Sequence, residues 1–314
     1  MIFFTFCSYF LLFLHLINGF IFSYNTTTDS LQNIKTPVDI NIKNGTYVDE
    51  NILIFLPGTS ANCNYYSNFL FTIYNTISDK TINTITTNQY INILCLDYRT
   101  SLNYSIHYYQ QRSFPDRSVS LIPPLINALK KINNNTGLNY LDPHTYLPIW
   151  KKIIASGHSQ GGVIATAWAK KYLLNRLVLF SSPGCQFGKR MHNWIRIPFS
   201  THKSKIYVVH SLQDTILPWN FGNPDYQCHL NDGVKTYIKS MGFFDHDFHL
   251  INITKSYSYL NEYVLDKYTY DFKKQIILLN TPFLNGTMSH LITCFNTGLI
   301  NSFLQKLWRY IVFV

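Results

Sequence analysis

Short apolar runs, each stopped by Gly, Pro or a polar cluster, alternate along this chain with longer stretches whose apolar residues recur every three or four positions. The first pattern predicts buried strands and the second predicts helices. Ile52 to Leu56 reads as a strand that stops at Pro57-Gly58, and Tyr66 to Ile77 follows with helical spacing of Phe69, Leu70, Ile73 and Ile77. Further strands are predicted at Ile91 to Leu96, Lys152 to Ser156, Leu177 to Phe180, Lys205 to Val209 and Phe248 to Ile253. Helical patterns cover Asp116 to Ile132 with a break at Pro123-Pro124, the stretch from Gly162 to about Tyr172, and Leu299 to Val312. Strands alternating with helices predict an α/β fold, a mostly parallel sheet with helices on both faces. No repeat, linker or change of composition divides the pattern, so one domain is expected over residues 24–314.

The amino terminus departs from this alternation. Ile2 to Phe22 is almost continuously apolar and gives way at once to the polar stretch Ser23 to Ser30, which reads as an export signal over residues 1–23, with Gly19 or Ser23 as the small residue at the cut. No Lys or Arg precedes Lys35, and the run is long enough to cross a bilayer, so a retained anchor stands beside a cleaved signal. A retained segment implies a protein anchored in the membrane, and a cleaved signal a secreted or luminal one. Six Asn-x-Ser/Thr sequons, at Asn25, Asn44, Asn103, Asn134, Asn252 and Asn285, suit a glycoprotein of that compartment. Without Cys7, the five cysteines Cys63, Cys95, Cys185, Cys228 and Cys294 allow one or two disulfides. Cys95 lies inside a strand pattern and reads as a buried free thiol. No CxxC and no Cys/His spacing of the zinc type occurs, so neither metal nor cofactor is expected.

Composition excludes more than it identifies. With 46% hydrophobic and only 13% charged residues, the chain has too much apolar surface for a disordered polymer. The formal charge of +10 raises the question of nucleic acid or an anionic membrane. The basic residues occur as scattered pairs such as Lys130-Lys131 and Lys170-Lys171, so nucleic acid is not an expected partner, and membrane is expected only if the amino-terminal segment is retained.

The chemistry concentrates at Gly157-His158-Ser159-Gln160-Gly161, a Gly-x-Ser-x-Gly sequence between a predicted strand and a predicted helix. Such a turn holds its serine in strained backbone at the carboxyl end of a sheet, and side chains two positions either side would clash. A nucleophilic serine needs a base, and the base needs an acid to orient it. Asp214, just past the strand Lys205 to Val209, is the expected acid, ahead of Asp225 and Asp232. Four histidines follow it, His229, His246, His249 and His290. His290 is preferred as the base because it lies after the last predicted strand and before the terminal helix, with His249 and His246 the alternatives. An oxyanion needs two donors, expected from the backbone amides of Gln160 and Thr59, the latter in Leu56-Pro57-Gly58-Thr59.

These residues resemble the α/β-hydrolase superfamily. More narrowly, the chain is similar to a poorly characterised group of serine hydrolases with an LPGT strand end and a GHSQGG elbow, an H-x-L-x-T strand, a later catalytic histidine and a terminal W-x-Y helix. The matching pieces are Leu56-Pro57-Gly58-Thr59, Gly157-His158-Ser159-Gln160-Gly161-Gly162, an imperfect His249-Leu250-Ile251-Asn252-Ile253-Thr254, His290 and Trp308-Arg309-Tyr310. The resemblance implies a serine esterase or lipase-like enzyme cleaving a small-molecule or lipid ester, without a cofactor, and it favours His290 over His249. A different class of function, a non-catalytic binding or adhesion protein on the same fold, predicts no reaction at Ser159. Tyr98 to Pro115 and Gly184 to His202 are the loops expected to shape a substrate site.

Overall fold

The computed structural model describes residues 21–33, 47–74, 89–111, 113–136, 138–185, 193–252, 274–282, 284–294 and 302–313. Among them nine strands form one sheet: β1 (Ile21–Asn25), β2 (Ser30–Asn33), β3 (Tyr47–Leu56), β4 (Gln89–Asp97), β5 (Ile153–His158), β6 (Arg176–Phe180), β7 (Ile206–Ser211), β8 (Phe248–Asn252) and β9 (Ile276–Asn280). Their order is β2-β1-β4-β3-β5-β6-β7-β9-β8, and every neighbouring pair is parallel except β1 with β2. The helices are α1 (Ser67–Tyr74), α2 (Leu102–Gln111), α3 (Phe114–Ser120), α4 (Ile122–Thr136), α5 (Gln160–Lys171), α6 (Val234–Ser240), α7 (Gly286–Leu291) and α8 (Ser302–Phe313). The chain is an α/β protein built on a mostly parallel sheet with helices on both faces.

The apolar run of β3 shows why both faces are covered. Side chains alternate across a strand, so Ile52, Ile54 and Leu56 enter one core with Leu125 and Leu129 of α4 and Ile164 and Trp168 of α5. Leu53 and Phe55 enter the other with Phe69 and Ile73 of α1 and Leu304, Trp308 and Ile311 of α8. A strand sandwiched in this way has no solvent face and therefore reads as continuously hydrophobic. After β3 the chain crosses to β4 on one side and later returns to β5 on the other. The carboxyl ends of β3 and β5 thus flank a reversal of strand order, where crevices for ligands form in open α/β sheets.

Several expectations need correction. A strand that is not among those predicted, β9, lies between β7 and β8 and places Phe248–Asn252 at the outer edge. Ile276-Ile277-Leu278-Leu279 carries a buried-strand pattern, but the ten polar and aromatic residues Asp266 to Gln275 before it mask the start. The expected loop Tyr98 to Pro115 contains the ten-residue helix α2, held from behind by Arg117 of α3, whose guanidinium lies over the rings of Tyr98, Tyr104 and Tyr108. The break expected within Asp116 to Ile132 is present, and the stretch forms two helices. Ser113 and Asp116 cap α3 reciprocally, and Pro123 and Pro124 sit in the first turn of α4, where their missing N–H groups break no helical bond.

Cys95 is not a free thiol. It is bonded to Cys63, with Cα atoms 5.9 Å apart, because the segment after β3 folds back over β4; burial is visible in the sequence, whereas what lies across is not. Cys185 pairs with Cys228, joining the loops after β6 and β7, and Cys294 is the free, buried cysteine among the described residues. The strand β1 begins at Ile21, inside the segment expected to be the export signal, and pairs with β4 from that residue on. The expected anchor over residues 1–20, and the helical readings at 75–77 and 299–301, lie outside the described residues. No helix among those described is long and apolar enough to cross a membrane.

Candidate active site

Ser159 stands between β5 and α5 with φ 51° and ψ −117°, a conformation that side chains with a Cβ rarely adopt. Backbone held there stores about 1–3 kcal/mol and persists only where neighbours over-determine it. They do so here through glycine. A Cβ on Gly157 would lie 2.4 Å from the Gly161 carbonyl carbon, and one on Gly161 would lie 2.1 Å from the Leu56 oxygen. The Ser159 N–H donates to Phe180 O at 2.9 Å, which fixes the turn to the end of β6.

Asp214 follows β7 by three residues, and His290 lies in α7, beyond β9. His290 Nδ1 is 2.7 Å from Asp214 Oδ2. The other carboxylate oxygen accepts from the amides of Ile216 and Leu217, each at 2.9 Å. Burial by itself would raise the pKa of Asp214, but His290, His210 and the amide donors outweigh it and hold the carboxyl below its ordinary range. The carboxylate is therefore an acceptor, and the His290 proton toward it sits on Nδ1, leaving Nε2 as the ring's basic nitrogen. The ring packs against His158, the residue before Ser159, with centroids 4.6 Å apart. His249 is on the edge strand β8, His246 is exposed beside Asp247, and His229 is in the loop after β7; neither Asp225 nor Asp232 is bonded to a histidine ring among the described residues.

The amides of Thr59, next to Gly58, and of Gln160, next to Ser159, have no acceptor among the described residues. On either side of Thr59 the amides are engaged, Gly58 N–H with the Tyr66 hydroxyl at 2.9 Å and Ser60 N–H with Thr100 O at 2.6 Å. Gln160 N–H opens α5, where helix amides lack internal partners and the dipole favours negative charge. The Gln160 side chain is held away from that amide by the hydroxyls of Thr59 and Ser105, both 3.4 Å from Oε1. Tyr66, Tyr98 and His158 complete the surroundings and were not singled out by sequence. His158 carried a usable signal, its place inside the elbow, whereas Tyr66 and Tyr98 look like any aromatic in a Tyr-rich chain. No group of three or more His, Cys, Asp or Glu among the described residues is placed to hold a metal.

Two histidines here are fully buried. Burial pushes the pKa of His158 down to about 3, with His290 adding to the shift, and that of His210 down to about 4 against the pull of Asp214, 4.0 Å away. Both therefore stay neutral where an unfolded histidine, near 6.5, becomes charged. The unfolded state then binds more protons, so stability rises with pH between about 4 and 6.5 and is lost on acidification, by roughly 1 kcal/mol per pH unit for each histidine. Asp214 contributes the same sign of dependence only below its unfolded value of 3.8. His210→Phe is expected to lower the slope of unfolding free energy against pH in this window by about half, read from urea unfolding at several pH values. An unchanged slope would assign the dependence elsewhere.

No protein-family model and no curated protein matches the chain. Solved structures do match. The product of the lin2722 gene of Listeria innocua is 14% identical over 74% of this chain and 99% of its own, with a TM-score of 0.33. The esterase PE8 is 12% identical over 55% of this chain and 73% of its own, with a TM-score of 0.31.

Proposed function

We propose that the protein is a serine hydrolase that cleaves a carboxylic ester of a small molecule or lipid through an acyl-enzyme intermediate. The observation that carries this reading is a serine strained at φ 51° at the carboxyl end of the central strand, next in the chain to His158, whose ring packs 4.6 Å from that of His290 in a buried His290–Asp214 pair at 2.7 Å. Ser159 Oγ attacks the ester carbonyl carbon while its proton passes to His290 Nε2, and Asp214 holds the ring through Nδ1–H. The carbonyl oxygen, now negative, takes the N–H groups of Gln160 and Thr59. His290 then gives its proton to the departing alkoxide. Water then attacks the acyl carbon and gives a proton to His290, which passes it to Ser159 Oγ as the acid departs, so that serine and base are both restored. No cofactor enters this sequence.

The same reading places the protein in the secretory pathway. Supporting it are the apolar leader, two disulfides of a kind uncommon in reducing compartments, and the exposed sequon residues Asn103, Asn134 and Asn285. A cut at Ser23 would remove Ile21 to Ser23, which pair with β4, so the cut at Gly19 is the proposed one; membrane attachment follows only if the leader is retained.

Labelling with a fluorophosphonate tests the reaction. The wild-type protein is expected to label stoichiometrically and Ser159→Ala to remain unlabelled. Equal labelling of the two would remove Ser159 from the mechanism, and an unlabelled wild type would favour the non-catalytic binding protein.

A further inference from the structure

We propose that Tyr66 and His158 are positioning residues that join the oxyanion loop to the base, through one hydrogen-bonded chain running from the Gly58 amide to the His290 carbonyl. The proposal rests on the serine-hydrolase reading and adds two residues to it. Gly58 N–H donates to the Tyr66 hydroxyl at 2.9 Å, that hydroxyl lies 3.1 Å from His158 Nδ1, and His158 Nε2 lies 3.1 Å from His290 O. The directions are forced. A carbonyl only accepts, so Nε2 carries the proton; a neutral ring then has a bare Nδ1, which accepts from the Tyr66 O–H. His158 is 2% exposed and its pKa is depressed, so the chain does not reverse over the working range of pH.

Each end of the chain meets a part of the site that must be set before charge develops. The Pro57–Gly58 peptide is pinned at both ends, its N–H by Tyr66 and its C=O by the Tyr98 hydroxyl at 2.7 Å, and the next amide is that of Thr59. At the other end the His290 carbonyl also accepts from Ser181 Oγ at 2.8 Å, so the backbone beneath the base is held from two strands. Donors and base that are placed in advance spare the reorganisation that would otherwise fall on the transition state, and a displacement of an ångström costs about 100-fold in rate. A bland alternative exists: Tyr66 is fully buried and its ring lies 4.7 Å from that of Phe55, as a core aromatic would. That role needs the ring and not the hydroxyl.

Tyr66→Phe separates the two roles, since it keeps the ring and removes one oxygen. With p-nitrophenyl butyrate as substrate, kcat is expected to fall about 10- to 100-fold with KM within about twofold, and the rate of fluorophosphonate labelling to fall by the same factor. The nitrogen-15 resonance of His158 Nδ1 should shift as its donor is lost, while the ring stays neutral. His158→Leu, which has neither an acceptor for Tyr66 nor a donor toward the His290 carbonyl, is expected to lose kcat in the same sense and is the deciding variant if Tyr66→Phe does not fold. Wild-type kcat in a folded Tyr66→Phe, or in a folded His158→Leu in its place, overturns the proposal while wild-type labelling leaves the hydrolase reading intact. Absence of labelling in the wild type overturns both.

Discussion

Asp214→Asn is expected to lower kcat for a short-chain ester by about four orders of magnitude while the protein remains folded, the loss that follows when a triad imidazole is held in the wrong tautomer. The amide oxygen of asparagine can still accept from Ile216 and Leu217 N–H, so the turn after β7 survives. What changes is the atom facing His290 Nδ1, now a donor where the carboxylate accepted at 2.7 Å. The ring answers by moving its proton to Nε2, and the nitrogen that should take the Ser159 proton already holds one. His290→Ala should cost at least as much, because no other ring is bonded to Asp214 at this distance among the described residues. His249→Ala, on the edge strand β8, is expected to keep wild-type kinetics. Steady-state rates of p-nitrophenyl butyrate hydrolysis, with circular dichroism to check the fold, decide the matter. Full activity without His290 would hand the base to another histidine.

The residues whose requirements are local were legible in the sequence. Gly157 and Gly161 announce a crowded turn because nothing larger fits two positions from Ser159, and a run such as Ile52 to Leu56 announces a strand covered on both faces. Asp214 followed from its place just after a strand. The pieces that stayed hidden depend on partners distant in the chain. Cys95 shows its burial but not Cys63 across from it, and the helix α2 owes its position to Arg117 packing on its tyrosines from the next helix. Tyr66 acquires meaning only when α1 and the segment before it bring its hydroxyl between Gly58 and His158, residues 8 and 92 positions away. Chain order alone points to His290, and β9, absent from the predicted strands, does not disturb that order because it still precedes the histidine that meets Asp214.

Gly161→Ala is expected to destabilise the protein by more than about 3 kcal/mol, beyond the usual cost of one excess methyl in a core, because the obstruction is backbone and cannot swing aside. The added Cβ would sit 2.1 Å from the Leu56 oxygen and 2.6 Å from the Pro57 oxygen, so α5 must move off the end of β3 by an ångström or more. That movement carries away the Gln160 amide at the start of the helix and presses on the loop that holds Thr59. Stability and chemistry should therefore be lost together, seen as a lower melting temperature and a collapse of fluorophosphonate labelling in whatever protein remains folded. Gly184→Ala is the contrast. Its Cβ would come no closer than 3.2 Å, to a methyl of Val234, and next to methyls of Leu217, side-chain ends that can yield, so a change within about 1 kcal/mol is expected. If the two variants melt alike, the close approach at Gly161 is not what holds the elbow in its strained shape, and the other contacts of the turn, the β6 hydrogen bond and the crowding at Gly157 among them, sustain the strain at Ser159.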